Sequence, residues 1–414
     1  MHNLFTPAGG AVATAIRPPP HFFGDGRRFV RLLIRGGLLQ LITFGFYRFW
    51  LMTDIRRHLW SATTIGGDEL EYTGRGRELL VGFLFAIAIL APIFLLYFLA
   101  GIEAERYKAF ASVPLYVILY VFGQFAAYRA RRYRLTRTVW RGVRFWMSGS
   151  GWAYAFRSIV WTAFAYLTLG LAYPWRVAAL ERYKMRNTYY GDMQGNFVGT
   201  GWGLFKKGFL LWLILAVTGA VATAIFAWAV MKAKDLQTGH VVDPQQYAGA
   251  VGAASVVFVL LVLAFVIVWP IYQAIEWRWW TGGVRIGPVE ATSTLPKTKI
   301  LTLYLKTIAW ALVASILLGV ALFIVTMASR GFVDPNFMDH SKYAATALFA
   351  LCYLLLLTAW GIVTRYYMQH QFWRAFIDTL TIRNLEETAS VSARGEAANA
   401  FGEGLLDGLD MGGL

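Results

Sequence analysis

One cysteine, Cys352, occurs in 414 residues, which excludes an intramolecular disulfide or a cysteine metal site. It lies inside an apolar run, where its ordinary reading is a small buried or lipid-facing residue. Charge is scarce as well: Asp, Glu, Lys and Arg make up 15% of the chain, against about one quarter in soluble domains. The six histidines show no His-Glu-x-x-His or comparable ligand spacing, and no Gly-x-Ser-x-Gly elbow is present. No catalytic residue, metal ligand or cofactor is therefore named, and the chain is read as non-enzymatic.

Apolar sequence is abundant instead: 57% of residues are hydrophobic, 16% are aromatic and the mean hydropathy is +0.50. Uncharged runs of 24 residues between Glu78 and Glu103, 20 between Lys108 and Arg129, 24 between Lys207 and Lys232, 32 between Asp243 and Glu276, 23 between Lys306 and Arg330 and 22 between Lys342 and Arg365 can each cross about 30 Å of hydrocarbon. Two poorer runs, of 12 residues after Arg35 and 18 after Arg157, read as short or re-entrant segments. An ordinary soluble domain is excluded. The sequence predicts an all-α polytopic membrane protein.

The 39 Lys and Arg against 23 Asp and Glu give a formal charge of +16, which in a membrane protein points first to loops held in the cytoplasm. With both poor runs returning to the side they left, 28 basic residues fall inside and 6 outside, the remaining five lying in or beside the apolar segments. That arrangement has six spanning helices in three hairpins, 79–128, 208–275 and 307–364, with short outer loops at 103–108, 232–243 and 330–342. The alternative, eight full spans, places the arginines of 129–144 outside and nearly abolishes the asymmetry. The first 20 residues contain no signal-peptide pattern, so both termini are expected in the cytoplasm.

Two stretches align without a gap at an offset of 125 positions: Thr43-Phe44-Gly45-Phe46, Trp50, Arg57, Gly74 and Gly76 match Thr168-Leu169-Gly170-Leu171, Trp175, Arg182, Gly199 and Gly201. This indicates an internal repeat with a third, eroded copy. The expected division is a disordered start at 1–22, units at 23–128, 129–275 and 276–383, and an acidic disordered tail at 384–414. The segments Phe23-Gly24-Asp25-Gly26, Leu41 to Trp50, Glu71 to Gly76 and Leu167 to Leu171 resemble the YjgN-like family of bacterial inner-membrane proteins. The resemblance implies a multi-pass inner-membrane protein with no assigned activity.

Five short runs, at 69–73, 143–146, 194–198, 284–286 and 379–383, have strand character and suggest a small cytoplasmic β-element. Gly74-Arg75-Gly76, Gly149-Ser150-Gly151 and Gly199-Thr200-Gly201 each precede a membrane helix. They are read either as turns that need glycine or as cradles for a lipid phosphate. The arginines and aromatics from Tyr128 to Trp146, with Trp50, Trp175, Trp277, Trp279, Trp280 and Trp373, read as interfacial anchors on anionic lipid rather than as a nucleic-acid surface. The leading functional expectation is binding or movement of a lipid or small molecule between the repeats. Its candidate ligand residues are Thr43, Gly45, Trp50, Arg57, Gly74 and Gly76 and their counterparts Thr168, Gly170, Trp175, Arg182, Gly199 and Gly201. The competing expectation is a scaffold whose partners are membrane lipids and proteins only.

Overall fold

The computed structural model describes residues 17–103, 108–237, 244–330 and 338–395. The expected outer loops fall largely on 104–107, 238–243 and 331–337, outside the described residues. One order of elements, strand–helix–helix–strand, recurs five times. The first unit comprises β1 (His21–Phe22), α1 (Gly26–Ile42), α2 (Arg48–Ser61) and β2 (Thr63–Ile65). The second has β3 (Asp68–Tyr72), α3 (Gly76–Glu103), α4 (Lys108–Thr136) and β4 (Thr138–Trp140), and the third β5 (Val143–Met147), α5 (Gly151–Leu167), α6 (Tyr173–Arg186) and β6 (Thr188–Tyr190). The fourth has β7 (Met193–Phe197), α7 (Gly201–Gln237), α8 (Pro244–Gly283) and β8 (Val284–Ile286). The fifth has β9 (Val289–Ser293), α9 (Lys297–Arg330), α10 (Met338–Arg365), a π-helical turn (Tyr366–Gln371), α11 (Phe372–Ile377) and β10 (Leu380–Arg383).

The strands form one ten-stranded antiparallel sheet in chain order, from β1 to β10. Every helical hairpin therefore leaves this sheet and returns to it: β3 pairs with β4 through Leu70↔Trp140, and β5 with β6 through Trp146↔Tyr189. The five strand-like runs all contain strands, and β1, β2, β4, β6 and β9 are additional. Four of these, β1, β2, β4 and β6, have three residues or fewer and carry almost no period-2 signal. Among the described residues, five helices are long and apolar enough to cross a membrane, within α3, α7, α8, α9 and the α10–α11 region. The protein is thus a helical polytopic membrane protein whose sheet is larger than the sequence suggests.

The helices pack in chain order, and α1 also packs on α10, so the first and fifth units meet. At this seam Asp378 Oδ1 accepts from the backbone N–H of Phe22 at 3.2 Å, while Arg374 donates to the carbonyl of Gly24. The sheet end is filled, not hollow: Trp60, Tyr72, Trp140, Tyr190, Phe372 and Phe376, from four of the five units, share one core. Trp279 is also buried, and Trp277, Trp280 and Trp373 pack against or within these cores. These tryptophans are not the interfacial anchors expected from sequence; proximity to a basic helix end does not reveal which face turns inward.

The last described segment departs from the expected disordered tail. A 3-10 turn (Leu385–Ser390) follows β10, and Leu385 and Thr388 are buried. Asn384 donates to the carbonyl of Pro288 at 3.0 Å, Arg141 to Thr388 Oγ1 at 3.4 Å, and Ser392 Oγ pairs with Asp192 Oδ2 at 3.0 Å. Residues 384–392 thus strap three of the sheet's hairpin turns together. Residues 396–414 lie outside the described residues. At the other end, residues 17–22 are described and contain β1, so the expected disordered start reaches too far.

Candidate functional site

The twelve sequence candidates form two matching sets with structural roles. Thr43 Oγ1 donates to the Leu39 carbonyl at 2.7 Å and accepts from Tyr47 N–H at 2.9 Å. Thr168 likewise donates to Phe164 at 2.9 Å and accepts from Ala172 N–H at 3.1 Å. Each threonine ties the end of one short helix to the start of the next. Between them the chain reverses through Phe44 and Gly45 at φ 51° and 91°, and through Leu169 and Gly170 at φ 52° and 86°. Glycine is required there by conformation, since a Cβ on Gly45 would meet nothing within 4 Å; it does not mark close packing.

The other members form the joint between a second helix and the next unit. Arg57 Nη2 donates to the Gly74 carbonyl at 3.3 Å, and Arg182 Nη2 to the Gly199 carbonyl at 3.4 Å. A Cβ on Gly76 would lie 2.8 Å from Trp50 Cα, and one on Gly201 would lie 2.7 Å from Trp175 Cα. These Gly-x-Gly pairs let a helix start directly beneath its neighbour, which favours the turn reading over a phosphate cradle. The arginines after Tyr128 are similarly engaged within the chain: Arg137 pairs with Glu78 at 3.1 Å and Arg141 with Asp68.

The structure assembles a different site where units two, three and four meet. An apolar groove of about 240 Å³ lies between the α5–α6 turn and α7–α8, lined by Gly170, Pro174, Phe209, Trp212, Trp269 and Tyr272 among others. Nearer the sheet is a polar pocket of about 330 Å³ lined by Arg131, Val177, Glu181, Glu276 and three tryptophans. Tyr173 belongs to the groove, and its hydroxyl donates to Glu276 Oε1 of the pocket at 3.3 Å. The two spaces thus touch at one hydrogen bond.

Within the pocket Glu181 forms an ion pair with Lys184, and its Oε2 accepts from Trp280 Nε1 at 3.0 Å. Burial opposes the charge on Glu181, but Lys184 and Arg131 outweigh it and hold the carboxyl below its ordinary range. Arg131 Nη2 reaches Met185 Sδ at 3.3 Å, and its Nε is buried without a partner. Of this group only Gly170 was a sequence candidate. Glu276 was counted as the charge ending an apolar run, although α8 continues past it to Gly283. Among the described residues, no group of three or more His, Cys, Asp or Glu could hold a metal ion.

A polytopic helical membrane protein with an amphipathic crevice beside its sheet is the class defined by this fold and site. A family model described as a bacterial protein of unknown function, DUF898, matches residues 17–408, and the chain belongs to that family. The YjgN-like resemblance agrees, since that group falls within the same family. Neither a curated protein nor a solved structure matches the chain.

Proposed function

We propose that the protein is a non-enzymatic component of the bacterial inner membrane that binds a lipid-like amphiphile between its repeated units. The observation that carries this reading is the contact between groove and pocket. An apolar space beside a polar one, joined at Tyr173–Glu276, suits a molecule with a tail and a head. Binding is favoured over passage to the far side because the aromatic core fills the sheet end and residues 384–392 strap its turns.

In the membrane, α3–α4, α7–α8 and α9–α10 are the three spanning hairpins, and the short pairs α1–α2 and α5–α6 dip in and return. The pairing of each hairpin's two flanking strands supports this over eight spans, because one sheet lies on one side of a bilayer. Orientation with the sheet and both termini in the cytoplasm follows from the basic residues on that side. Duplication is supported by element bounds: α1, α2, β2 and β3 recur as α5, α6, β6 and β7 at the same offset as the sequence match. Anionic lipids are partners at this face. Arg28, Arg31 and Arg35, spaced along one face of α1, line a cleft of about 260 Å³ with Tyr47 and Asp54.

Native mass spectrometry of the purified full-length protein tests the reading. One discrete bound lipid is expected, and Leu215→Trp, which fills the groove, is expected to remove it. Variable annular lipid alone, unchanged by that substitution, would overturn the proposal in favour of a scaffold.

A further inference from the structure

Resting on the amphiphile reading, we infer that the polar pocket takes a zwitterionic head, with a primary ammonium beside Glu276 and an anion beside Arg131. The pattern of ion pairing and open hydrogen-bonding atoms carries this. Lys184 and Glu181 neutralise each other, and Trp280 satisfies the second oxygen of Glu181. Glu276 forms no ion pair among the described residues. Its one hydrogen bond there, from Tyr173 to Oε1, leaves Oε2 as an open acceptor.

Arg131 also lacks a carboxylate partner within ion-pair distance among the described residues. Its Nη2 meets only a thioether, a weak acceptor, and its Nε has no partner. A carboxyl and a guanidinium, neither of them in an ion pair among the described residues, therefore face one space of about 330 Å³. A purely anionic head would answer Arg131 and leave Glu276 beside like charge; a purely cationic head would do the reverse. A head with both charges answers both, as buried charge requires.

The open carboxylate oxygen calls for an N–H donor. A primary ammonium supplies three, whereas a quaternary ammonium supplies none. The adjoining apolar groove identifies the source as a membrane lipid, with phosphate as the anion, rather than a free amino-phosphate.

The test is competitive native mass spectrometry on the purified full-length protein. Phosphatidylethanolamine, phosphatidylcholine and phosphatidylglycerol with identical acyl chains are supplied in equal amounts, and free phosphoethanolamine is titrated separately. Phosphatidylethanolamine is expected to be retained about tenfold over each competitor, the size expected for one charge-assisted hydrogen bond. Glu276→Gln, which can still accept from Tyr173, is expected to erase its preference over phosphatidylglycerol. Arg131→Gln is expected to weaken retention of all three phospholipids, each variant being compared with wild type well below its own lipid-free unfolding midpoint.

Equal retention of the three lipids, or a preference untouched by both substitutions, overturns the inference. If lipids are retained without head preference and Leu215→Trp still removes them, the amphiphile reading stands and the head assignment fails. If free phosphoethanolamine binds with the same sensitivity to Glu276→Gln while Leu215→Trp changes nothing, the head assignment stands and the groove reading fails.

Discussion

Trp60 and Trp373 stack with ring centroids 5.2 Å apart and planes 15° from parallel, joining the first unit to the fifth. Each indole N–H is satisfied within the first half of the chain: Trp60 Nε1 donates to Thr138 Oγ1 at 3.1 Å and Trp373 Nε1 to Thr63 Oγ1 at 2.9 Å. Removing either ring opens a void in the core shared by the units and takes the indole donor from a threonine hydroxyl that keeps its own bond to a helix carbonyl. Trp373→Ala is expected to cost about 3–5 kcal/mol, read as a lower midpoint of thermal unfolding in detergent. A double-mutant cycle with Trp60→Ala is expected to give a coupling of about 0.5–1.5 kcal/mol. Strictly additive effects would mean that the stack does not join the units.

The repeated glycines separate into two kinds with different expected costs. Gly45 sits at φ 91° in open space, so Gly45→Ala meets only backbone strain, about 1–2 kcal/mol. Gly76 has ordinary φ, but an added Cβ would press on the backbone of α2 at Trp50, and neither side can yield cheaply. Gly76→Ala is expected to cost more, about 3 kcal/mol. Unfolding midpoints of the two variants check the order, and the pair Gly170 and Gly201 should reproduce it.

Architecture was legible where physics writes long signals. Five of the six long apolar runs lie in helices long and apolar enough to cross a membrane, the run in α4 not being among them, and the match of 43–76 to 168–201 anticipated two sets of joints alike in role. The strands at 63–65, 138–140 and 188–190 were not legible, because three residues beside a helix end look like its continuation. The crevice was hidden for another reason. Glu276 reads as the end of an apolar run and Arg131 as one of a cluster of interfacial anchors, whereas α4 and α8 run on past them and bring both to the pocket. The tail was misjudged on composition: Leu385 and Thr388 are few, yet they are the residues that dock.

The strap over the sheet turns carries its own pH dependence. The side-chain hydroxyl and backbone N–H of Ser392 both donate to Asp192, and the hydroxyl is the foremost reason that this carboxyl lies below its ordinary value. A carboxyl with a depressed folded pKa stabilises the docked form above its unfolded pKa of about 3.9, and loses that contribution as pH falls through the folded value. Backbone exchange of residues 388–395, corrected for the intrinsic rate, is therefore expected to rise at pH 3 relative to pH 7. Asp192→Asn at pH 7 should resemble the acid form. Exchange that is the same at both pH values and in the variant would remove Asp192 from the docking of the strap.

The sheet itself makes the decisive prediction about topology. Glu69 in β3, Gly142 in the β4–β5 turn and Gln194 in β7 are exposed and belong to one hydrogen-bonded array, so they must occupy one aqueous compartment. Eight full spans would place the first two of these on one side of the membrane and position 194 on the other. With the native cysteine replaced by serine, single cysteines at positions 69, 142 and 194 are expected to resist a membrane-impermeant maleimide in intact cells. All three should react after the inner membrane is permeabilised. Reaction of all three in intact cells would invert the orientation but keep the hairpins. Reaction of position 142 alone would be incompatible with a single sheet, since no strand order could then join β3 to β4 through Leu70↔Trp140.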